Sequence, residues 1–104
     1  MTESYFDRQV FNGLAQLCER TRPGGFSQVQ MERIIPELEG LSKQVAENEK
    51  VFLQSYSALA APNFSDRQEE KKAFLQFSRQ TLALKKAQIE VLELKLSFYE
   101  KFYS

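Results

Sequence analysis

Histidine is absent from this chain and cysteine occurs once. The first absence removes the commonest general base and the commonest metal ligand; the second rules out an internal disulfide or a thiolate cage. Ferritin-like metal sites need a Glu-x-x-His pair, which the sequence also lacks. Carboxylate pairs do occur at Glu47/Glu49, Glu69/Glu70 and Glu90/Glu93. Each lies among lysines or on the polar side of a predicted helix, which is the pattern of solvated surface rather than acid–base chemistry. The sequence therefore predicts no enzyme, no cofactor and no small-molecule substrate. Cys18, beside Leu14 and Leu17, reads as a small core residue.

Net charge is also missing, since 14 basic residues balance 14 acidic ones. A general nucleic-acid binder carries a basic footprint, so nucleic acid is disfavoured as a partner. The local basic run from Lys71 to Lys86 is diluted by Glu69 and Glu70 and reads as a solvated face. No stretch approaches the ~20 apolar residues of a membrane span. Met1-Thr2-Glu3-Ser4-Tyr5 shows neither a basic nor an apolar leader region, so the expected location is cytoplasmic and soluble. Only three prolines and four glycines punctuate 104 residues that are 42% hydrophobic and 27% charged. With strand signals nearly absent, this composition points to one ordered all-α domain over residues 1–104.

Three helices follow from the spacing of apolar residues. Over about residues 5–20, Ser4 is placed to cap a helix whose face carries Phe6, Val10, Leu14 and Leu17. Thr21-Arg22-Pro23-Gly24-Gly25 ends it. Arg20 and Arg22 before this glycine turn and a helix N-terminus are a weak candidate anion site. The second helix, about 28–61, opens on a capping box of Ser27 and Gln30, with Phe26 and Met31 as a hydrophobic staple. Its seam runs Met31, Ile34, Leu38, Leu41, Val45, Asn48, Phe52, Ser55 and Leu59, passing Pro36, which should kink it. Asn48 on that seam is a candidate for fixing register or partner number. A short connection around Pro62 then leads to a capping box of Ser65 and Gln68 and a last helix over about 66–103. The arrangement expected is an antiparallel hairpin of two long coiled-coil-like helices plus a short N-terminal one.

The last helix carries two apolar series with a spacing of seven. Leu75, Leu82, Ile89, Leu96 and Tyr103 form one row, with Ser78, Lys85, Leu92 and Tyr99 three residues after the first four. Phe77, Leu84, Val91 and Phe98, flanked by Phe74 and Phe102, form the other. Taken as neighbours, the two rows make one broad apolar face, with Lys72, Arg79, Lys86, Glu93 and Glu100 on the far side. The hairpin partner then covers one row and leaves a patch at Phe77, Leu84, Val91, Leu94, Phe98 and Phe102 as a protein interface. The expected function is a non-enzymatic interaction module, an adaptor, scaffold or small subunit of a helical assembly. It would pair with itself as a dimer, with another helical protein, or with both. The alternative is a secretion or assembly chaperone holding an amphipathic segment of a client.

Overall fold

The computed structural model describes residues 4–55 and 68–104. Helix α1 spans Arg8–Arg20, α2 Gln28–Ser55 and α3 Gln68–Phe102, and no strand occurs among the described residues. Glu39 meets Lys95 and Glu49 meets Lys85, so α2 and α3 run antiparallel. Arg8 meets Glu90 while Thr21 meets Lys101, so α1 lies parallel to α3 and against its C-terminal half. The result is an elongated up-down-up bundle of 58 × 23 × 19 Å. Three helices pack at one end, and α2 and α3 continue alone toward the other.

The start of α2 is the one the sequence announces. Ser27 Oγ accepts from the Gln30 amide at 3.2 Å, and Gln30 Oε1 accepts from the Ser27 amide at 2.8 Å, which satisfies two otherwise orphaned donors. Phe26 and Met31 are both buried in the same core. The helix continues through Pro36 as one element. Its seam from Met31 through Ile34, Leu38 and Leu41 to Val45 is buried throughout.

The beginning of α1 differs from expectation. Asp7, not Ser4, is the N-cap: its Oδ1 accepts from the amides of Gln9 at 3.1 Å and Val10 at 3.2 Å. Ser4 instead donates to the Phe6 carbonyl, and the segment before the helix is fastened to α2. The Asp7 amide donates to Gln44 Oε1 at 2.7 Å. Phe6 is thereby delivered to the core, where its ring lies 5.2 Å from that of Phe11. Residues 56–61 of the second predicted helix, the Pro62 connection and Ser65 of the last capping box lie outside the described residues.

The larger correction concerns α3. Residues two apart on an α-helix point about 200° away from each other, so the Leu75 row and the Phe77 row occupy opposite sides of α3 and cannot form one face. The bundle packs the Phe77 side. Leu84, Val91, Leu94 and Phe98 from it, with Ala87 beside them, are buried against α2 and α1. Charge explains the choice. Burying the Leu75 side would carry Lys85, Arg79, Lys86 and Glu93 out of water, at a cost that hydrophobic contact does not recover. The Phe77 side offers Phe, Leu, Val and the small Ala87 instead.

Candidate functional site

With the Phe77 side enclosed, the residues expected to form an interface are core. Phe98 is 0% exposed and Leu84 and Val91 are 1% exposed; Leu94 is buried with them, and Phe77 and Phe102 are half-buried at its margins. Phe98 sits 5.2 Å from Phe26, and Phe77 stacks on Phe52 at 5.2 Å. These six hold the chain to itself, so none of the fully buried ones is available to a partner.

What remains uncovered is the other row. Leu75, Leu82, Ile89, Leu92 and Leu96 are between 51% and 60% exposed, and Tyr103 is 76% exposed. Five of these six share one row along α3, and Leu92 lies next to it. The row extends 28 residues, about 42 Å at 1.5 Å per residue. Lys72, Arg79, Lys86, Glu93 and Glu100 run alongside it, one helical position round, and are exposed. They were expected opposite the apolar side and in fact border it. Among the described residues, none of these five side chains has an ion-pair or hydrogen-bond partner. The charges therefore flank the row without an ion pair or hydrogen bond to any described residue. They run from basic at the N-terminal end to acidic at the C-terminal end.

On its other border the row meets α2. Lys85 Nζ lies 2.9 Å from Glu49 Oε2, which also accepts from Gln88 at 3.0 Å. Near the C-terminal end of the row lies a shallow groove between the helices, lined by Met31, Ile35, Pro36, Tyr99, Phe102 and Tyr103 with Gln28 and Glu32 among them. Tyr99 stacks on Tyr103 at 6.1 Å. Row and groove meet at Tyr103.

Asn48 is exposed, and its amide serves the chain itself: Nδ2 donates to the Tyr5 carbonyl at 2.8 Å and to the Gln44 carbonyl at 2.9 Å. It pins the N-terminal segment rather than lying in a seam, so its contacts assign it no part in register or partner number. Arg20, the last residue of α1, and Arg22, on the turn that follows, are both exposed. That turn is held by the end of α3. The Gly24 amide donates to the Lys101 carbonyl at 2.7 Å, with Gly24 at φ 76°, where a side chain would be strained and would crowd the Ser104 carbonyl. Lys101 Nζ in turn donates to the carbonyls of Cys18 and, at 2.7 Å, of Thr21. One ammonium thus sits at the C-terminal ends of α1 and α3 together, where both helix dipoles favour a cation. Sequence reasoning missed this residue. Its signal was a lysine in the last turn of a helix.

Cys18 is buried, as expected of a core residue. Burial pushes its thiol above the ordinary value, Lys101 opposes the shift and Glu19 adds to it. The group stays a protonated thiol at neutral pH and is not a nucleophile. Among the described residues, no three His, Cys, Asp or Glu side chains are placed to hold a metal, and no helix is long and apolar enough to cross a membrane.

No protein family, curated protein or solved structure matches the chain. The reading of the site therefore rests on its geometry.

Proposed function

We propose that the chain is a non-enzymatic protein–protein interaction module, an adaptor, scaffold or small subunit of a helical assembly, that docks a helix along the exposed side of α3. The observation that carries this is the row itself. Single exposed apolar residues are ordinary on a protein surface, but a contiguous line of them is what a binding surface presents. Among the described residues, five of the ten exposed large apolar residues belong to α3, namely Leu75, Leu82, Ile89, Leu92 and Leu96, and a sixth, Tyr103, directly follows it. Their spacing of seven matches the seam that an opposing helix reads in a coiled coil.

The test compares the wild-type chain with Leu82→Glu/Ile89→Glu, each immobilised and exposed to extract of the cells it comes from. Both substituted residues are more than half exposed, so the variant keeps its helical spectrum and unfolding midpoint. A protein retained by wild type and not by the variant supports docking along α3. Identical retention on both refutes it.

A second reading, a secretion or assembly chaperone holding an amphipathic client segment, is favoured by the groove at Met31, Ile35 and Tyr99. It predicts that Ile35→Glu releases a client that Leu82→Glu/Ile89→Glu still binds.

A further inference from the structure

We infer that the occupant of the exposed α3 row is a second copy of the same helix, laid antiparallel about a two-fold axis at the level of Ile89. This rests on the interaction reading above and commits it to one partner. Three features of the row lead there.

The first is its apolar symmetry. A two-fold at Ile89 sets Ile89 against itself, Leu82 against Leu96 of the second copy, and Leu75 against Tyr103 of the second copy. Every apolar residue of the row meets another. On the edge toward α2, Ser78 faces Tyr99 of the second copy, and Lys85, which keeps its ion pair with Glu49 at 2.9 Å, faces Leu92 of the second copy. An isologous contact needs this self-complementarity and heterologous ones do not.

The second is charge. The same axis keeps the flanking row on one edge of the interface in both copies. Lys86 then faces Glu93 of the second copy and Arg79 faces Glu100 of the second copy, and each pairing occurs twice. All four groups are exposed and, among the described residues, without an ion-pair or hydrogen-bond partner for their side chains. A parallel pair would instead set this flank against Phe74, Thr81, Gln88 and Lys95, where only Lys95 offers a counter-charge, and it already lies 3.7 Å from Glu39. The reversal of sign along the flank therefore selects the antiparallel orientation.

The third is area. Six large side chains at half exposure or more present on the order of 500 Å² from each copy, or roughly 1,000 Å² across the axis with their flanks excluded. That reaches the lower range of specific interfaces. The dimer is accordingly weak to moderate in affinity, and charge weighs visibly in it.

The experiment uses the purified full chain at low ionic strength, in sedimentation equilibrium and light scattering over a concentration series. Wild type is expected at twice the chain mass of 12.1 kDa. Leu82→Glu/Ile89→Glu is expected as a folded monomer. Arg79→Glu/Lys86→Glu leaves the apolar row intact, and its dimer should dissociate about 10- to 100-fold more readily, because four attractive pairs become repulsive. Adding Glu93→Lys/Glu100→Lys to it restores all four pairs with their signs exchanged, and affinity should return to near the wild-type value. In a parallel pair the first charge variant would change little and the second would rescue nothing, so that pattern overturns the proposal. A wild-type chain that is monomeric at 200 µM also overturns it, as does a dimer that Leu82→Glu/Ile89→Glu leaves intact. Retention of another protein by wild type alone in the extract comparison can still hold in either case, so loss of the second copy and loss of the interaction reading are distinguishable.

Discussion

The two sides of α3 have nearly the same apolar content and opposite fates. One side places Leu84, Val91 and Phe98 at 1% exposure or less; the other leaves Leu82, Ile89 and Leu96 more than half in water. The difference lies in what accompanies the apolar residues. On the buried side the intervening positions are Ala87, Leu94 and the aromatic rings of Phe74 and Phe102, which pack or pass. On the exposed side they are Lys85, Arg79, Lys86 and Glu93, which would lose their hydration on burial. An apolar row with charged borders is unsuited to the middle of a three-helix core but suited to a two-helix contact, where the borders stay wet. Hydrophobic periodicity proposes a surface, and the charges beside it decide whether that surface faces inward or outward.

The comparison is broken most directly by truncating one residue from each side. Phe98→Ala removes a fully buried ring that touches Phe26 and should destabilise the chain by about 3 to 5 kcal/mol. Leu96→Ala, two positions away, should change the monomer by no more than about 0.5 kcal/mol. Denaturant midpoints measured at concentrations where the chain is monomeric check both. Similar losses at the two positions would mean that the exposed row is covered within the chain, and the inward and outward assignment would be wrong.

Two lysines lie half-buried on the packed side: Lys95 pairs with Glu39 of α2, and Lys101 shows how an ammonium is kept there by backbone alone. Its partners are backbone carbonyls at the end of α1, so Lys101→Met leaves the Cys18 and Thr21 carbonyls without a donor. The expected loss is about 1 to 3 kcal/mol, with faster amide exchange confined to the last turn of α1 and the Gly24 turn. Lys86→Met, on the exposed side, should have no such effect. Ser27→Ala removes the cap that starts α2 and should cost about 0.5 to 2 kcal/mol; an unchanged midpoint would mean that α2 begins without it.

These residues also mark how far the sequence could be read. The α2 seam was legible because one unbroken series from Met31 to Val45 follows a capping box, and no rival series exists on that helix. In α3 two series of equal period coexist, and spacing alone could not rank them; angular position and the accompanying charges could. The patch expected to lie exposed at Val91 and Phe98 is therefore core, and the apolar row left in water is the one on the opposite side of the helix. Asn48 looked like a seam residue because it falls in a register that does continue to Phe52, which stacks on Phe77. There the bundle uses it to hold the Tyr5 carbonyl, a contact 43 residues distant in sequence that no local pattern announces. The cap at Asp7 was missed for a related reason, since Ser4 has equal capping chemistry and only the docking of Phe6 decides between them.

The smallest effect expected concerns an ionisable group buried in the core. Cys18 has its thiol raised above the usual value of 9.0, chiefly by burial, with Lys101 opposing and Glu19 reinforcing the shift. The unfolded chain therefore releases this proton at lower pH than the folded one. The stabilisation from keeping the thiol neutral is fully present below about pH 9 and is lost as pH rises toward the folded value. At pH 10 the loss cannot exceed about 1.4 kcal/mol, the free energy of ionising the unfolded thiol one unit above its own pKa. The quantity to measure is a difference, which isolates the thiol: the fall in unfolding free energy between pH 8 and pH 10 in wild type, less the same fall in Cys18→Ala. A positive difference fits a thiol enclosed between α1 and the end of α3. A difference of zero would mean that the thiol ionises equally in both states and that the corner held by Lys101 admits water. Repeating the measurement in Lys101→Met sharpens the result. Removing the cation that lowers the folded pKa should enlarge the difference, provided the corner stays closed.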